Sequence, residues 1–277
     1  MPPTSAFDGG PEAWILSIGN ELLIGRIVNT NASWLAKMLS VLGFNVRRII
    51  TVPDELDDIV EELRRAIGRA RVVITTGGLG PTYDDRTLEA VGAATNRPLA
   101  VDDAAREMVE RFYSQKGLPM TPERLKMAML PAGSKPLPNP VGAAPGVALE
   151  HEGTLIVSLP GVPAEMQAIF TEYVVPLLRR IAPERHLAEC SVLVSGVPES
   201  ELAPVLARLA KENPSAYIKS HPKGHEIRGP ILDVRVLVGD SDPARASEKA
   251  ARLADLIAEE AARLGGSLRS KSCGSPD

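Results

Sequence analysis

The sequence predicts an α/β protein with a parallel, doubly wound sheet, followed by a smaller α+β unit. Three observations carry this expectation. Short apolar runs rich in β-branched residues (13–18, 44–52, 72–76) alternate with amphipathic stretches (30–42, 56–67) of helical period. Each connection between runs holds a helix, as right-handed parallel crossovers require. After Ala182-Pro183-Glu184 the rhythm changes to β-α-β-β-α, which marks a domain boundary.

Residues 13–18 are almost wholly apolar and read as a buried strand ended by Gly19-Asn20-Glu21. Trp34, Leu35, Met38, Leu39 and Leu42 share one face of a helix over 30–42, with Thr30 or Asn31 as N-cap and Gly43 as its stop. Trp34 reads as core. The run 44–52 returns to strand. Pro53-Asp54 breaks it, and Leu56, Ile59, Val60, Leu63 and Ile67 mark a second amphipathic helix, which Asp54 is placed to cap. The third strand, 72–76, passes into Gly77, Gly78 and Gly80, after which Asp84 and Asp85 open a helix over 85–95. Helices follow over 102–115 and 121–129, the latter signalled by Thr121, Pro122 and Glu123. Residues 134–146 are too rich in proline and glycine for regular structure. Strands 146–149 and 154–159 come next, and Pro160-Gly161-Val162-Pro163 leads into a long helix, 164–181. Beyond the boundary, strand 190–195, helix 199–211, strands 216–220 and 231–238 and helix 243–264 suggest helices on one face of a mixed sheet. The expected organisation is a disordered tail over 1–12, an α/β domain over 13–183, an α+β domain over 184–265 and a second disordered tail over 266–277.

Composition narrows the function classes. With 44% hydrophobic and 24% charged residues in 277, the chain is an ordinary globular one. A formal net charge of −4 argues against nucleic acid as its main partner. Two cysteines, Cys190 in an apolar run and Cys273 in the polar tail, exclude a disulfide framework and a cysteine-rich zinc site. His151, His186, His221 and His225 lack metal-ligand spacing. No apolar run approaches the ~20 residues that span a bilayer, and 1–12 lacks signal-peptide features, so a cytoplasmic protein with no membrane partner is expected.

Ligands of open α/β sheets bind outside the carboxyl ends of the strands. Gly19, Asn20 and Glu21 follow the first strand and Asp54 the second. Thr76, Gly77, Gly78, Gly80, Thr82, Asp84 and Asp85 close the third, and Pro160, Gly161 and Glu165 follow a later one. Polar or glycine-rich residues thus gather at one rim four times. Glycine N–H groups and a helix N-terminus suit a phosphate, but the aspartates would repel a bare one, so a cation between them is expected. Asn139 and Gly142 are placed to offer backbone or amide groups from the proline-rich loop, while Arg26, Lys126 and Lys135 are candidate phosphate cations. The glycine loop is neither a Walker motif nor a dinucleotide fingerprint, and no nucleophile elbow is present.

Five segments carry a family resemblance: Ile-Gly-Asn-Glu-Leu-Leu-Ile-Gly (18–25), Val-Pro-Asp-Glu (52–55), Thr-Thr-Gly-Gly-Leu-Gly-Pro-Thr-Tyr-Asp-Asp (75–85), Leu-Pro-Asn-Pro-Val-Gly-Ala-Ala-Pro-Gly (137–146) and Leu-Pro-Gly-Val-Pro-Ala-Glu-Met (159–166). Together they resemble the CinA (competence/damage-inducible) family, whose N-terminal domain is similar to the molybdopterin-binding domain of the MoaB/MogA and MoeA proteins. The resemblance implies a three-layer α/β domain for a phosphorylated nucleotide or pterin, a small KH-like second domain, and a homodimer. It implies Asp54 and Asp85 as the functional carboxylates. For CinA-type domains it implies metal-dependent pyrophosphate cleavage of ADP-ribose. The leading expectation built on this is that Asp54, Asp84 and Asp85 hold Mg²⁺, Mn²⁺ or Co²⁺, with Glu21 as a further catalytic candidate. The rival expectations are a molybdopterin binder or molybdopterin adenylyltransferase of molybdenum cofactor biosynthesis, and a non-catalytic nucleotide-binding assembly protein. The chain has Asn20 where the family usually has Thr and Asn29 where Asp is common, which weakens any metal ligand at 29. The KH-like segment lacks a clear Gly-x-x-Gly loop, so RNA binding is not inferred. The sequence ends before the nicotinamide-nucleotide deamidase module of longer members, so that activity is not expected.

Overall fold

The computed structural model describes residues 10–223 and 229–274. His225, most of the amino-terminal tail and the last three residues lie outside them. In chain order the elements are β1 (Glu12–Ile18), α1 (Asn20–Leu23), α2 (Thr30–Val41), β2 (Asn45–Val52), α3 (Leu56–Ala66), β3 (Val72–Thr76), α4 (Thr87–Thr95), β4 (Leu99–Val101), α5 (Asp103–Ser114) and α6 (Pro122–Lys126). Then come β5 (Met129–Pro131), β6 (Lys135–Leu137), β7 (Gly146–His151), β8 (Thr154–Leu159), α7 (Pro163–Ile169), a π-helical turn (Phe170–Val174) and α8 (Val175–Arg179). The remainder is β9 (His186–Ser195), α9 (Glu199–Glu212), β10 (Ala216–Pro222), β11 (Ile231–Asp240), α10 (Pro243–Arg263) and β12 (Ser267–Gly274).

The chain divides into two compact units: Pro11–Leu39 with Val46–Ile181, and Met1–Gly10 with Ser40–Asn45 and Ala182–Asp277. The first holds a six-stranded sheet in the order β2-β1-β3-β8-β7-β6. β1, β3 and β8 run parallel at its centre, whereas β7 and β6 add antiparallel strands on one flank. Trp14, Leu16, Val73 and Ile156 pack against Ile59, Leu63, Ala90 and Val91 of α3 and α4. The alternate set, Ala13, Ile15, Ile74 and Val157, is equally buried. With both faces covered, the three-layer expectation holds. Trp34 is half-buried and meets the buried Phe170 edge-on with ring centroids 5.3 Å apart, so it lies at the margin of the core and not within it.

Several local expectations change. Glu12, expected to end the amino-terminal tail, already belongs to β1. Asn29, and neither Thr30 nor Asn31, accepts the capping bond of α2, from the Ala32 N–H at 3.0 Å. Asp54 does not cap α3, whose N-cap is Glu55. Asp84 and Asp85 precede α4, which begins at Thr87, because their carboxylates fold back onto Thr82. The proline-rich stretch contains one short strand, β6; it is the edge strand of its sheet, a position that tolerates Pro136. The long helix is interrupted by the π-helical turn just before Pro176, whose missing N–H cannot extend a regular ladder.

The second unit has the sheet β10-β11-β9-β12, and every pairing is antiparallel, which corrects the mixed sheet expected. β9 buries alternate residues, and Cys190, Val192 and Val194 meet Leu202 of α9 and Ala250, Leu253 and Ile257 of α10. The expected tail over 266–277 is not a tail over its described part. Ser267–Gly274 forms β12 on the edge of this sheet, and Cys273 is disulfide-bonded to Cys190 across 83 residues. A polar, glycine-flanked segment reads as unstructured because its partner strand is far away in sequence; cross-strand pairing and the bridge hold it.

Candidate functional site

The first unit carries a cleft of about 450 Å³ at the carboxyl ends of β1, β2, β3 and β8, the location the sheet topology dictates. Gly19 and Glu21 line it from the end of β1, and Asp54 from the end of β2. Gly77, Gly78, Gly80, Thr82, Asp84 and Asp85 contribute the long wall, with Pro160, Gly161 and Glu165 opposite. Four strand ends therefore converge on one space.

Glycine is obligatory where these loops touch. A Cβ on Gly77 (φ +106°) would sit 2.2 Å from the Ile18 carbonyl oxygen, so only glycine lets β3 leave the sheet against the end of β1. Gly78 turns at φ +66°, and its carbonyl accepts the Thr87 N–H that starts α4. These contacts also settle which N–H groups are free. The Gly77 N–H donates to the Leu159 carbonyl and the Gly19 N–H to the Val52 carbonyl, so neither can hold a phosphate as the sequence suggests. Among the described residues the N–H groups of Gly78, Leu79, Gly80 and Gly161 have no hydrogen-bond partner.

The carboxylates differ in how they are held. Asp54 accepts the Asn20 N–H at 2.9 Å. Burial, with the nearby charges of Glu21, Asp84 and Asp85, raises its carboxyl above the ordinary value against that bond's lowering effect. Asp85 accepts the Thr82 N–H at 2.8 Å, and the Thr82 hydroxyl is within hydrogen-bond distance of both Asp84 and Asp85, to one of which it gives its proton. The Thr82 hydroxyl bond lowers the Asp84 carboxyl, helped by its own N–H and by Lys126. Lys126 does not face outward for phosphate; its ammonium donates to the Thr82 carbonyl and braces the loop from behind.

Four expected ligand-binding residues lie outside the cleft lining. Asn20 serves through its N–H on Asp54. The Thr76 hydroxyl donates to the Pro160 carbonyl and accepts from the Asn31 amide, which also donates to the Gly161 carbonyl. Asn139 is consumed internally. Its amide donates to the Ala144 carbonyl and to Glu165 Oε2 (2.6 Å), and its oxygen accepts the N–H groups of Val141 and Gly142. Asn139 and Gly142 thus shape the loop and orient Glu165, without offering groups to a ligand.

Among the described residues no three His, Cys, Asp or Glu side chains come together closely enough to hold a metal ion. Asp54, Asp84 and Asp85 share a crevice, yet Asp54 is turned onto the Asn20 N–H while Asp84 and Asp85 are turned onto Thr82. The residues present do not fit the three-aspartate metal site expected from the sequence. Nor is any helix among the described residues long and apolar enough to cross a membrane.

Part of the cleft lining escaped sequence reasoning: Leu79, Tyr113, Met127, Ala143 and Ala144. Tyr113 belongs to the last turn of α5 and Met127 follows α6, so neither lies on a strand end and no motif contains them.

The three layers and the cleft at their strand ends define an α/β ligand-binding domain, joined to an antiparallel α+β unit. The chain belongs to the family described as "Probable molybdopterin binding domain", which matches residues 14–180. It is 54% identical over 258 residues to a protein of Aeropyrum pernix, covering 93% of this chain and 96% of the relative. Protein PAE0875 of Pyrobaculum aerophilum is 52% identical over 249 residues, covering 88% of this chain and 94% of its own. Among solved structures, "the protein CinA with unknown function" from Thermoplasma acidophilum is similar at 39% identity and a TM-score of 0.57. That likeness covers 60% of this chain and 98% of the solved one. The CinA-like, molybdopterin-binding-domain reading of the motifs is borne out.

Proposed function

We propose that the cleft binds a phosphorylated pterin of the molybdopterin class, in a step of molybdenum cofactor biosynthesis. The observation that carries this reading is the pairing of free N–H groups on Gly78, Leu79 and Gly80 with a crevice of five carboxylates, Glu21, Asp54, Asp84, Asp85 and Glu165. N–H groups at a loop before a helix suit a phosphate. Carboxylates would repel it, unless the rest of the ligand is rich in donors. A pterin presents adjacent ring and amino N–H groups along one edge, and a carboxylate accepts such a pair bidentately. The family description supports the same ligand class. Pyrophosphate cleavage of ADP-ribose draws no support from a three-aspartate metal site, since the donors do not cluster.

Calorimetric titration of the full chain with molybdopterin, and with ADP-ribose in Mg²⁺, Mn²⁺ or Co²⁺, tests the reading. Molybdopterin is expected to bind, and Asp85→Asn to weaken it about tenfold by removing one charge-assisted acceptor. Adding ATP and Mg²⁺ to the complex asks whether binding extends to adenylyl transfer. Failure of molybdopterin to bind folded protein, or AMP release from ADP-ribose, would overturn the proposal.

A further inference from the structure

The second unit holds a groove of its own, about 500 Å³ between the last turn of α9 and the first half of α10. We infer that it binds a small carboxylate with an apolar body, the carboxylate between Lys249 and Arg252 and the body on Leu209, Leu253 and Leu256. The inference stands apart from the ligand proposed for the first unit, and it gives the second unit a binding role.

Helical spacing builds the floor and the rim together. α10 starts behind the Asp242 cap, and Lys249, Arg252, Leu253 and Leu256 follow at intervals of three and four, so one face carries all of them. Leu209 and Leu253 are buried in the core of this unit, whereas Leu256 is only half-buried and lines the groove. The charges around this floor are unequally engaged. Arg245 pairs with Asp240 at 3.2 Å, and Glu212 pairs with Arg208 at 3.5 Å. Lys249 donates to the Ser215 hydroxyl at 2.6 Å, a neutral partner that positions the ammonium and leaves it further N–H groups to donate. Among the described residues Arg252 and Glu248 make no hydrogen bond or ion pair.

What remains is two cations against one carboxylate, beside an apolar floor. A monoanion balances that excess. A planar carboxylate matches the guanidinium fork of Arg252 and leaves a lone pair for Lys249. A phosphate dianion would overshoot the excess and face Glu248. A bare ion would leave the three leucines wet, whereas an apolar body covers them, and the volume suits a ring-sized group. A simple carboxylate and an α-amino acid share this chemistry; they differ in the ammonium, which Glu248 would accept. Arg252 and Glu248 are exposed, so the ion contacts are modest and weaken with salt.

Nuclear magnetic resonance titration of the isotope-labelled full chain tests this with hydrocinnamate, with phenylalanine, and with phenylalaninamide, which lacks the carboxylate. Hydrocinnamate is expected to shift amide signals of α9 and α10 saturably at millimolar concentration, and phenylalaninamide to leave them in place. Arg252→Gln and Lys249→Gln should each weaken hydrocinnamate about fivefold, the scale of one charge-assisted contact at a wet surface. Leu256→Ala should weaken it to a smaller extent, through lost apolar contact. Unmoved signals from the sheet of this unit show that each variant is folded. If phenylalanine binds more tightly than hydrocinnamate, and Glu248→Gln removes that advantage, the groove takes an amino acid; if it binds equally or more weakly, the groove takes a simple carboxylate. The inference is overturned if hydrocinnamate gives no saturable shift on α9 and α10. It is equally overturned if folded Arg252→Gln and Lys249→Gln bind hydrocinnamate as wild type does, or if phenylalaninamide binds as well as hydrocinnamate.

Discussion

The two sheets of this chain solve the same burial problem differently. In the first unit β3 and β8 are buried along their whole length, and neighbours cover both faces. In the second, β9 buries only alternate residues, and edge strand β12 buries none. A strand covered on both faces has its polar backbone exposed only at its ends, so chemistry collects there, and the cleft is found at those ends. A one-sided sheet has no such compulsion. Its weak point is its edge, and in this molecule a covalent bridge secures that edge.

This contrast can be broken or sharpened by experiment. The largest effect is expected from Cys273→Ser, which opens the Cys190–Cys273 loop of 83 residues. Chain-entropy arguments put the loss at about 4.5 kcal/mol. Denaturant unfolding should show it in the second unit, and dithiothreitol should reproduce it in wild type. Next comes Ile74→Ala. Ile74 is fully buried in β3, and the cavity should cost about 3 kcal/mol in the first unit, read as a lower denaturation midpoint, with the second unit unmoved. Equal response of both units to either change would refute the contrast between the two sheets.

A smaller effect, about 2 kcal/mol, is expected for Gly77→Ala, from strain at φ +106° and the approach to the Ile18 carbonyl. Thermal melts would report the strain, and ligand titration the distorted cleft. The smallest is Asp54→Asn. Because the folded-state carboxyl is raised above 3.8, the native state holds its proton more tightly than the unfolded chain does. That contribution to stability is fully present below 3.8 and is lost as pH rises through the folded value. Above it, the charged Asp54 is a liability. The amide keeps an acceptor for the Asn20 N–H, so the variant should melt slightly higher than wild type at pH 7. The advantage should vanish below 3.8; a constant gap across pH would contradict the raised carboxyl.

Local patterns made most of the first unit legible. An apolar, β-branched run that stops at Gly77-Gly78 can be little else than a buried strand entering a tight loop, and the rim of strand ends followed from topology. What stayed hidden depended on distance. Asp54 sits where a helix cap would, and only the fold reveals that Asn20, 34 positions away, takes its carboxylate. Asn139 looked like a ligand group because its loop is irregular, yet that irregularity is what uses up its amide. Tyr113 and Met127 reach the cleft by packing α5 and α6 over the glycine loop, which no spacing announces. β12 is polar at nearly every position and becomes a strand only because β9 accepts it.

Asn31 has a consequence for how the cleft receives its occupant. Its amide bonds Thr76, the last residue of β3 behind one wall, and Gly161 on the other wall, while Thr76 bonds Pro160. The two walls are riveted together and cannot part like jaws. Their order is fixed when the chain folds, so a ligand meets a rigid slot and little ordering remains for the moment of binding. Removing the rivet with Asn31→Ala should leave the contact enthalpy nearly intact and appear in calorimetry as a more unfavourable binding entropy.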